Sequence, residues 1–277
     1  MTMTRYTTLI TPAELRALLH AAAPPLLLDC RFDLADPAAG ERAYAAGHLP
    51  GAHYLHLDRD LSGAKTGANG RHPLPARDDL AARLRALGLR TGRQVVCHDT
   101  QGGPYAARCW WLLRWLGHAE VAVLDGAWDG PLTTDVPTAT ATDWQPAAPL
   151  VGHIDATALL AQLGRVRLID ARAPERFRGD VEPLDRQAGH IPGASNRCFR
   201  DNLDADGRFK PADQLRAEFQ ALLAPFAEAE VVHQCGSGVT ACHNLLAMAH
   251  AGLGDGRLYP GSWSEWSADP ARPIARG

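Results

Sequence analysis

The stretch VVHQCGSGVTACH, residues 231–243, is where the fold and the chemistry of this chain meet. Val231 and Val232 begin an apolar run suited to a buried strand. Cys235-Gly236-Ser237-Gly238 breaks that run, and an apolar-periodic segment to about Ala251 reads as a helix. A cysteine therefore sits where a strand turns into a helix N-terminus. The two glycines allow φ > 0, so successive loop N–H groups can converge on one point, and the helix adds its unsatisfied donors and partial positive charge there. Such a nest favours an anion, and the anion Cys235 can supply is its own thiolate. Burial as an inert thiol is the ordinary fate of a free cysteine. The flanking glycines and the helix start behind it instead mark Cys235 as a candidate nucleophile.

Compared with itself, the chain reads as one unit written twice. LLLDCRFD (26–33) recurs as RLIDARAPERF (167–177), and AGHLPGA (46–52) as AGHIPGA (188–194). VVCHDTQGGPYAARCWW (95–111) lines up with VVHQCGSGVTACHNLL (231–246), and VAVLDGAW (121–128) with GRLYPGSW (256–263). Matches in constant order at an offset of roughly 140 residues indicate a duplicated domain and not a short-period solenoid. Within each copy short apolar strands alternate with helical stretches. In the first, Thr11-Pro12-Ala13-Glu14 opens a capped helix, followed by strands at 26–29, 95–97 and 121–124 and helices at 78–87 and 105–116. In the second, helices are expected at 155–163 and 215–223. This alternation implies an α/β fold with mostly parallel sheets covered on both faces. The Pro-, Thr- and Ala-rich run between the copies reads as a linker. The expected division is 1–135, a linker at 136–152, and 153–277.

Composition narrows the function classes. The chain has 277 residues, 21% charged and 46% hydrophobic, and a net charge of -3. That balance argues against a nucleic-acid surface, which needs a basic patch. The N-terminus lacks the apolar core of a signal peptide, and the longest apolar runs fall short of a membrane span, so a soluble cytoplasmic protein is expected. The six cysteines (Cys30, Cys97, Cys109, Cys198, Cys235 and Cys242) show no CxxC or zinc-site spacing and read as reduced thiols, with no metal or organic cofactor expected.

The two copies differ where it matters chemically: the position aligned with Cys235 holds Asp99, which cannot act as a sulfur nucleophile. His243 lies eight residues beyond Cys235, about 12 Å along a helix axis, so it is read with His233 as an ordinary surface or boundary histidine and not as the base. The polar, Gly-rich segment 56–75 carries Asp58, Asp60, Arg71 and His72, which composition alone reads as a solvated loop. Arg172, Arg176, Arg178 and Arg186 crowd the early second copy, either as surface ion pairs or as guanidinium forks for a small carboxylate. His48 and His190 occur in both copies, including the one without the cysteine, which points to a structural turn.

The tandem copies, the GHIPGA motif, the Cys-Gly-Ser-Gly-Val-Thr loop and the closing GSWSEW resemble the two-domain rhodanese family over nearly the whole chain. Within that family they are similar to the branch that takes sulfur from 3-mercaptopyruvate. Thiosulfate-using rhodaneses carry basic residues directly after the cysteine, whereas Gly236 and Ser237 are neutral. The resemblance implies two tandem rhodanese-like domains, the first non-catalytic and the second catalytic. It implies that Cys235 forms a persulfide, that the N–H groups of Gly236, Gly238, Val239 and Thr240 cradle sulfur and substrate, and that Ser237 assists proton transfer. By the same resemblance Asp58 and His72 reach that serine from the first domain, and Arg176 and Arg186 grip the substrate carboxylate and keto oxygen.

The expected reaction is attack of the Cys235 thiolate on the donor sulfur, release of pyruvate, and transfer to a thiol, a thioredoxin-type dithiol or cyanide. The alternatives are a thiosulfate sulfurtransferase and a non-catalytic sulfur-carrier module. A cysteine phosphatase would need an arginine six residues after the cysteine, where this chain has Ala241.

Overall fold

A computed structural model describes residues 5–227, 230–254 and 256–277. The chain divides into two compact units. The first comprises 1–63, 75–150 and 206–208, and the second 64–74, 151–205 and 209–277.

The first unit runs β1 (Leu9–Ile10), α1 (Pro12–Leu19), β2 (Leu26–Asp29), α2 (Ala39–Ala46), β3 (Ala52–Tyr54), α3 (Arg77–Ala86), β4 (Val95–His98), α4 (Pro104–Trp115) and β5 (Val121–Leu124). Its strands form one parallel sheet in the order β1-β5-β4-β2-β3. The capped start of α1 forms as expected: Glu14 N–H donates to Thr11 Oγ1 at 3.3 Å and Thr11 N–H to the Glu14 carboxylate at 2.8 Å. Strands β2, β4 and β5 are buried along their whole length, which explains their unbroken apolar sequences. Leu15, Leu27, Val96 and Ala122 form part of the resulting core, where each fully buried large aliphatic side chain contributes about 1.5–3 kcal/mol.

Residues 136–150, read as a linker, belong to this first unit. Thr142 N–H donates to the Arg85 carbonyl, Ala147 N–H to Leu116 and Leu150 N–H to Arg114, while the Trp144 ring is buried edge-on to His118. The change of unit along this stretch comes between Leu150 and Val151.

The second unit repeats the plan with α5 (Ala156–Gln162), β6 (Arg167–Asp170), α6 (Pro174–Arg178), β7 (Ser195–Asn196), α7 (Ala212–Leu223), β8 (Val231–Gln234), α8 (Thr240–His250), β9 (Arg257–Leu258) and α9 (Ser262–Trp266). Its parallel sheet has the order β7-β6-β8-β9. The place of β1 is taken by a single parallel bridge from His153 to Leu258. The core packs Ile154, Leu168 and Val232 against Tyr259, Trp263 and Trp266.

The duplicated motifs make the same contacts in each unit. The His48 ring stacks on Tyr44 with centroids 3.8 Å apart and the His190 ring on Phe177 at 3.9 Å, each with Nδ1 against the carbonyl of the ring it covers. Arg31 forks onto Asp29 and reaches the Gly47 carbonyl; Arg172 forks onto Asp170 and reaches the Gly189 carbonyl. Each histidine sits in the turn that leads into an edge strand of its sheet, β3 or β7, a structural place consistent with its presence in both copies. Among the described residues no helix is long and apolar enough to cross a membrane.

Candidate active site

The loop after β8 projects from the carboxyl end of a central strand, where open parallel sheets present ligand sites. Cys235 is buried, with 2% of its surface exposed. Gly238 N–H donates to Cys235 Sγ at 3.1 Å and Ser237 N–H at 3.4 Å. Gly238 has φ +75°, and a Cβ there would lie 2.4 Å from the Pro260 carbonyl oxygen, so only glycine allows this amide to face the sulfur. Two amide dipoles thus converge on one sulfur, the geometry that holds negative charge. Val239 caps α8 and Thr240 begins it, placing the helix N-terminus directly behind the loop.

The loop is braced from α9. Cys235 N–H donates to Ser262 Oγ at 3.1 Å, and Ser262 Oγ–H donates to the Tyr259 carbonyl at 2.9 Å. The carbonyls of Cys235 and Gly236 accept from Trp263 N–H and Ser264 N–H. Ser262 adopts φ +52°, strain that a non-glycine residue carries only when its surroundings fix it. The first copy has Ala127 at the position of Ser262 in the repeated motif, so the serine accompanies the cysteine.

The segment 64–74, counted with the second unit, brings His72 and Arg71 to this loop. His72 is buried, and its Nδ1 shares a 2.7 Å hydrogen bond with Ser237 Oγ, a geometry in which either atom can carry the proton. Arg71 N–H donates to Ser264 Oγ at 3.0 Å. Its guanidinium lies over the loop: a Cβ on Gly236 would come within 2.8 Å of Arg71 Nη2 and 3.5 Å of Arg176 Nη1. The absence of a side chain at Gly236 therefore leaves room for two cationic forks beside Cys235.

Those forks are held by carboxylates. Arg176 Nη2 donates to Glu182 Oε1 at 2.7 Å and to Asp185 Oδ2 at 3.2 Å, while Arg71 Nη1 pairs with Asp185 Oδ1. Burial pushes the Asp185 carboxyl above its ordinary range, against the pull of Arg71.

Of the residues singled out in the sequence, the second unit brings together Cys235, Gly236, Ser237, Gly238, His72 and Arg176. Asp58 belongs to the first unit, where its backbone N–H donates to His56 Nδ1 at 3.1 Å. Arg186 is exposed and makes no hydrogen bond or ion pair with the described residues. Arg71 stands over Gly236 beside Arg176; nothing in its local sequence separates it from a loop arginine.

His243 and His233 are not surface histidines. Both are fully buried, because α8 is enclosed along most of its length and β8 is covered on both faces. The His243 ring stacks on Phe209 at 4.4 Å, with Asn202 against its Nδ1, and His233 lies against Met248 Sδ.

The first copy completes the comparison. Asp99 Oδ1 accepts from the N–H groups of Gln101 and Gly103, and Oδ2 from those of Tyr105 and Ala106, all at 2.9 or 3.0 Å. The loop that holds sulfur in one copy holds a carboxylate in the other, so both are anion nests.

The rhodanese-like domain family matches residues 11–131 and 155–269. The chain belongs to the rhodanese family. It is 51% identical to a probable 3-mercaptopyruvate sulfurtransferase of Pseudomonas aeruginosa, covering 97% of this chain and 98% of that protein. It is 40% identical to a putative thiosulfate sulfurtransferase of Mycobacterium tuberculosis, covering 97% of each. The 3-mercaptopyruvate sulfurtransferase from Leishmania major superposes with a TM-score of 0.82 at 29% identity, covering 94% of this chain and 74% of that one. As a two-copy rhodanese, the chain turns its loop amides onto a cysteine sulfur in one copy and onto a carboxylate in the other.

Proposed function

We propose that this rhodanese transfers sulfur from 3-mercaptopyruvate to a thiol or cyanide acceptor through a persulfide on Cys235. The observation that carries the reading is the site beside Gly236: a sulfur under two amide donors, with the Arg71 and Arg176 guanidiniums over the neighbouring glycine. A 2-oxo acid has a carboxylate and a keto oxygen that planar guanidinium donors recognise, and its C3 sulfur then comes within reach of the thiolate. The name of the relative from Pseudomonas aeruginosa agrees with this donor.

In the first half-reaction the Cys235 thiolate attacks the donor sulfur. A sulfur–sulfur bond forms, the sulfur–carbon bond breaks, and its electron pair leaves on the pyruvate enolate. The guanidinium groups of Arg71 and Arg176 stabilise the negative charge that develops on the enolate. The Ser237–His72 pair handles the proton that passes from the donor thiol to the enolate carbon. In the second half-reaction an acceptor thiolate or cyanide takes the outer sulfur, and Cys235 leaves as its thiolate. Asp58 is retained as a member of the proton-handling set on the family resemblance, and Arg186 as a second candidate for the substrate carboxylate on the same ground. The cytoplasm is the proposed compartment.

Mass spectrometry after exposure to 3-mercaptopyruvate tests the reading. The expected result is a gain of one sulfur atom localised to Cys235, with stoichiometric pyruvate, and no gain in Cys235→Ser. Sulfur loading from thiosulfate in strong preference to 3-mercaptopyruvate would replace this function with that named for the relative from Mycobacterium tuberculosis.

A further inference from the structure

The cations over Gly236 arrive with counter-ions already attached. Asp185 spans them, one carboxylate oxygen on Arg71 and the other on Arg176, and Glu182 takes two further donors of Arg176. Both carboxylate side chains are almost fully buried, at 4% and 3% exposure, so these are not surface ion pairs. Arg172 also donates to Glu182 Oε2 at 3.3 Å, but it is forked onto Asp170, so including this pair adds no net charge. The formal charges of Arg71, Arg176, Glu182 and Asp185 cancel. Within this hydrogen-bonded cluster, to which Arg186 does not belong, the guanidinium donors are oriented without a surplus of positive charge.

From this arrangement we infer that Asp185 is a specificity-determining residue: by bridging and neutralising Arg71 and Arg176, it favours a monoanionic carboxylate donor over a dianionic one such as thiosulfate. A monoanion needs correctly aimed hydrogen bonds, which the bridge preserves by fixing the spacing of the two forks. A donor that enters as a dianion needs uncompensated positive charge at the binding step, which the bridge removes. The second charge of the enolate, by contrast, develops only during reaction and is relieved by the proton that the Ser237–His72 pair handles. Burial supports the assignment, since a carboxyl whose ionised form is penalised there is retained beside the forks despite that cost. Gly236 belongs to the same device, because a side chain at that position would displace Arg71 from its place beside the carboxylate. The inference rests on the proposed function and adds to it the residue that sets donor charge.

The experiment measures kcat/KM for 3-mercaptopyruvate and for thiosulfate, with cyanide as the common acceptor, in wild type, Asp185→Asn and Asp185→Glu. Removing one negative charge a few ångströms from the donor should raise the thiosulfate-to-mercaptopyruvate ratio on the order of tenfold in Asp185→Asn, chiefly through a lower KM for thiosulfate. Asp185→Glu keeps the charge and should keep a ratio close to wild type. Glu182→Gln removes a charge from the same cluster and should move the ratio the same way, which decides the matter if Asp185→Asn does not fold. Equal losses for both donors in the neutral variants, with an unchanged ratio, would mean a structural role and overturn the inference. A wild-type protein that releases no pyruvate from 3-mercaptopyruvate would overturn the proposed function and the inference with it. Wild-type activity with an unmoved ratio overturns the inference alone.

Discussion

Asp99 provides a test of the anion nest that leaves the sulfur chemistry untouched. Its two carboxylate oxygens accept four backbone N–H groups, from Gln101, Gly103, Tyr105 and Ala106, and the last two belong to the first turn of α4. A hydrogen bond to a charged group contributes about 1.5–3 kcal/mol net, so four fully buried bonds would total roughly 6–12 kcal/mol if they added. They do not add in full, because Asp99 is half-exposed and the released amides at the loop surface recover water. Asp99→Ala should therefore cost about 3–5 kcal/mol, more than an ordinary N-cap truncation of about 1 kcal/mol. Asp99→Asn keeps one carbonyl oxygen but turns an amide NH2 toward two of the four donors, and should cost about 2–3 kcal/mol. Urea unfolding gives the magnitude, and amide hydrogen exchange at Gln101, Gly103, Tyr105 and Ala106 shows where the loss is felt. If Asp99→Ala unfolds within 0.5 kcal/mol of wild type and those amides keep their protection (a surface substitution would do no more, about 0.5 kcal/mol), the loop is not an anion nest and the parallel drawn to Cys235 fails.

The remaining expectations concern the second unit. Gly238→Ala forces a Cβ to 2.4 Å from the Pro260 carbonyl at φ +75°; it should lose about 2–4 kcal/mol of stability and slow single-turnover sulfur loading by about a hundredfold, as removal of an oxyanion-hole donor does. Ser262→Ala leaves the Cys235 N–H without its acceptor and should cost about 1–3 kcal/mol in urea unfolding, while Ser262→Gly should cost less because it relieves the strain at φ +52°. Burial holds the His233 imidazole down at about 3, so the unfolded chain binds this proton first. Its contribution to stability is complete above about pH 6.5 and is lost as pH falls toward 3, at up to about 1.4 kcal/mol per pH unit; His233→Leu should flatten that part of a stability–pH curve.

The duplication, the parallel sheets and the strand-to-helix loop around Cys235 were legible because each rests on local pattern: a repeated order of motifs, unbroken apolar strands, and glycines around one thiol. The short helices α2 and α6 were not, since each has too few residues for a helical period to stand out. Helix α8 gave an apolar period but not its enclosure, which left His243 assigned to the surface although its ring lies fully buried on Phe209. Arg71 and Asp185 are 114 residues apart in sequence, and nothing in either neighbourhood signals the other. Ser262 carries a sequence signal: it replaces Ala127 between the Gly and Trp that the two copies share, and the difference falls in the copy that holds the cysteine.

The two nests also differ in how completely their resting occupant fills them. A carboxylate has two oxygens, and Asp99 uses them to take four amides, leaving the loop of the first copy satisfied and without reason to bind anything further. Cys235 presents one sulfur to the amides of Ser237 and Gly238. A second sulfur bonded to Sγ would extend the occupant toward the size of a carboxylate, and its negative charge would meet the same converging dipoles. In the proposed cycle the persulfide is then the species the loop fits best, which lowers the barrier to loading and makes transfer depend on an acceptor nucleophilic enough to remove sulfur from a favourable site. In the first copy Asp99 stands at the position of the sulfur and fills the nest with its own two oxygens, so the chain itself satisfies the four converging amides.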